Sequence, residues 1–76
     1  MIKPGIYLHY KGNKYEVLGR AMHSETREPM VVYRQLYASP GYPEGSLWVR
    51  PEAMFAETVI VDGREAPRFR FLGEMP

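Results

Sequence analysis

Met30-Val31-Val32-Tyr33-Arg34-Gln35-Leu36-Tyr37 carries the strongest β signal of this chain. β-branched and aromatic residues crowd this run, and it contains no glycine or proline. Such side chains suit a pleated, half-buried surface. The spacing predicts a strand over Met30–Tyr37. Its neighbours repeat the pattern in shorter form. Seven glycines and seven prolines divide the 76 residues into brief apolar stretches, and none sustains helical spacing for three turns. The reading is all-β with short strands.

Before the decisive run, a first strand is predicted over Gly5–Tyr10, with Ile6, Leu8 and Tyr10 on one face and Tyr7 and His9 on the other. Lys11-Gly12-Asn13-Lys14 is a tight turn in which Gly12 and Asn13 can take positive φ. A second strand follows over Tyr15–His23, with Tyr15, Val17, Gly19 and Ala21 on one face. Gly19 inside it marks a bulge or a close backbone approach. Ser24–Pro29 is the connecting loop.

After the run, Ser39-Pro40-Gly41 and Pro43-Glu44-Gly45 make Ala38–Ser46 a long exposed loop. Leu47–Arg50 is a fourth strand, and Pro51–Phe55 a single helical turn opened by proline. Glu57–Val61 is a fifth strand, Asp62-Gly63 a turn, and Pro67–Leu72 a last edge strand. The whole predicts one domain over residues 1–76, with a core at about 5–72 and a frayed tail over 73–76. Five to six short strands with one short helical turn point to a small SH3-like barrel, because closure limits exposed edges. A small OB-like barrel is the alternative, disfavoured by its need for longer strands. An exposed edge at the first or last strand would permit a homodimer by strand pairing.

Composition narrows the function classes. There is no cysteine, hence no disulfide and no thiolate metal site, which fits a reducing, cytoplasmic setting. Met1-Ile2-Lys3-Pro4-Gly5 lacks the apolar segment of a secretory signal, and no apolar run approaches the length of a membrane span. Ten basic and nine acidic residues leave a net charge of +1, which argues against nucleic acid as the main partner. Residues 1–23 carry Lys3, Lys11, Lys14 and Arg20 against Glu16 alone. Six tyrosines, three phenylalanines and one tryptophan supply rings able to fill a small β core with wet edges.

Candidate chemistry gathers in two places. His23-Ser24-Glu25-Thr26-Arg27-Glu28 is a dense polar knot, and Trp48-Val49-Arg50-Pro51 sets an indole beside a guanidinium. His9, His23 and Glu25 match no zinc spacing, and the structural alternative places His9 on the wet face with His23 capping its loop. Ser24 lies between His23 and Glu25, yet sequence neighbours on an extended chain point apart and build no triad. Ser24 and Thr26 suit local backbone bonding instead. Arg34, Arg50 and Arg68 stand beside aromatic residues. Such a guanidinium stacks on a ring, clamps an anion or pairs with an acid; Glu25 or Glu57 could neutralise Arg34 and Arg50 if these share a face. Tyr7, Tyr33, Trp48 and Phe55 serve either as core or as a stacking platform.

Several blocks in order carry a family resemblance: Gly5-Ile6-Tyr7-Leu8-His9-Tyr10-Lys11-Gly12, Tyr15-Glu16-Val17-Leu18-Gly19, His23-Ser24-Glu25-Thr26, Val31-Val32-Tyr33, Leu36-Tyr37, Trp48-Val49-Arg50-Pro51, Met54-Phe55 and Pro67-Arg68-Phe69. The chain resembles, from about Gly5 to Phe71, the bacterial "domain of unknown function 1653" family. That resemblance implies a small SH3-like barrel, usually a stand-alone bacterial protein, and brings no activity, cofactor or catalytic residue. The working expectation is therefore a non-enzymatic binding module for a peptide, a protein or a small anionic ligand. Its surface would be lined by His23, Glu25, Tyr33, Arg34, Trp48 and Arg50, with no cofactor and no catalytic residue assigned. A small enzyme or metal protein using His23 and Glu25, with or without His9, is the rival from another class. RNA or ribosome association is the third reading.

Overall fold

The computed structural model describes residues 2–74. Among these residues the chain is all-β with one short helix, and it forms seven strands in place of the five or six expected. In order these are β1 (Gly5–His9), β2 (Lys14–Met22), β3 (Pro29–Gln35), β4 (Leu47–Pro51), the helix α1 (Glu52–Phe55), β5 (Thr58–Val61), β6 (Arg64–Pro67) and β7 (Phe69–Gly73). Five strands make an antiparallel sheet in the order β4-β3-β2-β1-β7, and β5 and β6 pair as a separate hairpin. The additional strand is β6. Asp62 and Gly63 both take positive φ (52° and 76°), the geometry of a two-residue hairpin turn, and this folds Arg64–Pro67 back along β5. β1 is an interior strand, so the open edges of the large sheet are β4 and β7. Gly73 ends β7 opposite Ile6, while residues 75 and 76 of the tail expected to fray lie outside the described residues.

Period-two burial places the core. Val31, Tyr33 and Gln35 of β3 point inward, as do Tyr7 of β1 and Val17 of β2. Phe55 from α1 and Phe69 from β7 complete the interior, and the two rings stack with centroids 4.1 Å apart. Tyr7 and Tyr33 meet Phe55 edge-on at 5.5 and 5.4 Å. Such ring pairs add to what burial alone contributes. Among the described residues only one polar residue, Gln35, is buried with them.

The rings also report the curvature of the sheet. Tyr33 on β3 and Phe69 on β7 are three strands apart in pairing order, which is about 14 Å across a flat sheet. Their ring centroids are 5.7 Å apart. The sheet is therefore strongly curled, and its ends meet through side chains rather than through ladder bonds. Gly5 makes one tight approach possible: at φ +142°, a Cβ there would lie 2.6 Å from the Gly73 carbonyl oxygen and 2.8 Å from the Phe71 ring.

A bulge alters the second strand as Gly19 foretold. Val17 faces Tyr33 and Gly19 faces Val32, so Leu18 is an extra residue on β2. The parity of the strand flips beyond it. Gly19 and Ala21 thus leave the face shared by Tyr15 and Val17, and Arg20, still exposed, takes that side and reaches Glu52 of α1 at 2.9 Å. In the β1–β2 turn only Gly12 has positive φ (103°), and Asn13 instead accepts from the His9 N–H at 2.8 Å.

Candidate functional site

The inner face of β3 and β4 opens at one end into a cavity of about 220 Å3. Antiparallel register builds it: Gln35 lies opposite Tyr15, and Tyr33 opposite Trp48, so all four side chains project to the same side. Arg50, two residues beyond Trp48, shares that face, and Tyr37 and Ser39 close the cavity from the loop after β3.

Gln35 organises this end of the molecule. Its Nε2 donates to the carbonyl oxygens of Tyr37 (2.9 Å) and Tyr42 (3.0 Å), and its Oε1 accepts from Trp48 Nε1 at 2.9 Å. Its backbone is bound as well, donating to Ser46 and accepting from Gly45. One buried amide thus ties the loop to the indole. Tyr42 lies against Trp48 with ring centroids 4.8 Å apart, so this part of the expected exposed loop covers one side of the tryptophan. Tyr15 and Tyr37 share a hydroxyl–hydroxyl hydrogen bond across the cavity. Burial, then that bond, raises the pKa of the Tyr15 phenol, which keeps it protonated.

Arg50 supplies the positive charge. Its guanidinium carbon is 5.8 Å from the Phe69 ring centroid, and among the described residues it has no acidic partner. Arg34 differs. It points to the opposite face, where it bonds Glu16 at 2.6 Å. Glu16 satisfies it, not Glu25 or Glu57, and Glu57 pairs with Arg68 at 3.5 Å. The expected convergence of Arg34 with Arg50 therefore fails, because alternation had already put Arg34 opposite to Tyr33.

His23 and Glu25 also lie apart from the cavity. Both are exposed in the β2–β3 loop. His23 Nδ1 accepts from the backbone N–H groups of Glu25 (3.2 Å) and Thr26 (3.3 Å), and Thr26 Oγ1 accepts from Glu28 N–H at 3.2 Å. The polar knot caps its own turn, in which Arg27 takes φ 62°. His9 is at the far end of β2 from His23, on the order of 25 Å away along the strand. It is not on a wet face but at the rim of the core, with its ring 4.8 Å from Phe69 and 4.6 Å from Tyr10. Burial first, then the charges of Arg50, Arg68 and Lys11, lower its pKa. No cluster of three or more His, Cys, Asp or Glu suited to a metal occurs among the described residues.

Of the six residues singled out in the sequence, the fold brings together Tyr33, Trp48 and Arg50. It adds Tyr15, Gln35, Tyr37 and Ser39. Tyr15 and Gln35 carried a signal that reading missed, since each falls in register with the inward set. A larger cleft of about 350 Å3 runs along Lys3–Gly5 and Leu18, but it has no aromatic wall, and its Glu16 is already engaged.

A family model described as "Protein of unknown function (DUF1653)" matches residues 5–71. The chain belongs to the DUF1653 family. A crystal structure of a DUF1653 protein from Bordetella bronchiseptica is similar throughout, with 40% identity, a TM-score of 0.86, and coverage of 99% of this chain and 92% of that one. Among curated proteins none matches. DUF1653 membership brings no assigned chemistry, so the cavity around Arg50 is read from its own residues. No helix among the described residues is long and apolar enough to cross a membrane.

Proposed function

We propose that this protein is a non-enzymatic binding module on an SH3-like scaffold, and that the Trp48–Arg50 cavity receives the anionic group of a small ligand. The observation that carries this reading is Arg50: a half-buried residue whose side chain lines an aromatic cavity, with no acidic partner among the described residues. Most charges in such a setting are paired, because desolvating an unpaired one costs free energy. An incoming anion supplies the missing partner while the rings supply contact area. Positions 23 and 25 contribute nothing to this cavity, which favours binding by Arg50 over catalysis at His23. A cytoplasmic setting is part of the proposal, resting on the lack of cysteine.

The test is a titration of the protein with pools of anionic metabolites, peptides and oligonucleotides. Emission of Trp48, the only tryptophan, and backbone amide shifts are followed together. Shifts centred on Gln35, Trp48 and Arg50, lost in Arg50→Met, support the reading. No perturbation of these residues by any pool overturns it.

A further inference from the structure

The donors and acceptors of the cavity define which anion it takes. Both N–H groups of the Gln35 amide are used on carbonyls, and its oxygen is used on the Trp48 N–H. None of these four groups is free for a ligand. Of the Tyr15–Tyr37 hydroxyl pair, one donates to the other, and the second keeps its own O–H. Ser39 Oγ, 3.5 Å from Gln35 Nε2, keeps its hydroxyl hydrogen. Tyr33, which lines the same cavity, has no hydrogen-bond partner for its hydroxyl among the described residues, so the open functions are one guanidinium and three hydroxyl donors, surrounded by rings.

This inventory excludes most classes. A quaternary ammonium would enjoy the rings but meet the Arg50 charge. A phosphate dianion would find one cation, since no lysine lines the cavity. A carboxylate matches the fork of a single guanidinium through two parallel bonds, with its remaining lone pairs on the hydroxyls. Size limits the rest of the molecule. Drug-sized ligands occupy sites of about 300–1,000 Å3, and 220 Å3 leaves room for about one ring. Ring edges and faces from Tyr15, Tyr33 and Trp48 favour a flat aromatic group over a puckered aliphatic one.

We infer that the cavity binds a small free carboxylic acid carried on a single aromatic ring, with Arg50 clamping the carboxylate. This rests on the binding-module reading and narrows it.

The experiment titrates the whole chain, by amide chemical shift, with benzoate, cyclohexanecarboxylate, benzamide, phenyl phosphate, tetramethylammonium and N-acetyl-phenylalanine. Benzoate shifts Gln35, Trp48 and Arg50 amides. Benzamide, without the charge, binds about 10- to 100-fold more weakly. Cyclohexanecarboxylate, without the flat ring, binds about 2- to 10-fold more weakly. N-acetyl-phenylalanine, whose carboxylate sits on a chain carbon as at a peptide end, is weaker than benzoate. Arg50→Met, shown to be folded by its spectrum, loses the preference for benzoate over benzamide, whereas Arg34→Met on the opposite face keeps it. Tighter binding of phenyl phosphate, tetramethylammonium, cyclohexanecarboxylate or N-acetyl-phenylalanine than of benzoate at the same residues overturns the ligand class and leaves the binding module standing. Silence of the cavity residues towards every compound overturns the class and, if the anion pools are also silent, the module with it.

Discussion

Replacing Gln35 by methionine removes three hydrogen bonds while nearly keeping the volume. The residue is 2% exposed, so its partners sit close to a dry interior. Each bond to a neutral group contributes about 1 kcal/mol net, hence about 3 kcal/mol for the two carbonyls and the indole N–H. Burying the methionine side chain returns about 1 kcal/mol. The expected loss is about 2 kcal/mol. In a domain of this size that lowers the thermal midpoint by roughly 8–16 °C. Urea unfolding followed by far-UV circular dichroism measures it, with an unchanged slope if only the native state is affected. Trp48 emission should move to the red, because its N–H turns to water. Amide exchange at Gly45 and Ser46 should rise, since these flank the loop that Gln35 holds. A midpoint within about 0.5 kcal/mol of the parent, with Trp48 emission unchanged, would refute the idea that this amide organises the cavity.

Gly5→Ala should cost at least about 2 kcal/mol, because positive φ and the 2.6 Å approach to the Gly73 carbonyl act together; a thermal midpoint near that of the parent would show that β7 moves freely. Arg34→Ala should cost about 1–2 kcal/mol in denaturant unfolding, because Arg34 keeps a 42% exposed side chain while the carboxylate it leaves behind, Glu16, is only 12% exposed; a loss above about 3 kcal/mol would mean the pair matters to the sheet beyond its own bond. His9 should make stability fall with acidity. Its folded pKa lies below the ordinary 6.5, so the unfolded chain takes up the proton first. The contribution is present above about 6.5 and is lost as pH falls from there towards the lowered value. Thermal midpoints of the parent and His9→Gln at pH 7.5 and 5.5 check this, and an equal acid loss in both proteins would exclude His9 as the cause.

Much of the fold was legible because strand signals are local. Met30–Tyr37 read as a strand, although its two faces were not assigned, and Gly19 marked the bulge. Asp62-Gly63 marked its turn. β6 was not legible: Arg64-Glu65-Ala66-Pro67 has neither alternation nor β-branched residues, and the turn alone folds it back. Part of the candidate site was legible too. Trp48 and Arg50 are two apart on one strand and must share a face, whereas Tyr33 and Arg34 are adjacent and must not. Grouping Arg34 with Tyr33 went against that same rule. Gln35 gave no chemical sign, since an amide in a strand reads as an ordinary polar residue until its three partners are known.

By itself, the order of residues determined the class of the protein: short β-strands, the turns between most of them, and a chain without cysteine. These depend on φ/ψ preferences and on spacing between near neighbours. Tertiary structure alone decided that Glu16 would neutralise Arg34 while Arg50 kept no acidic partner among the described residues. It also decided that His23 and Glu25 would sit far from the rings. Those outcomes depend on strand register, on a one-residue bulge and on the curl that sets β7 against β3, and each joins groups distant in sequence through packing that no local pattern records.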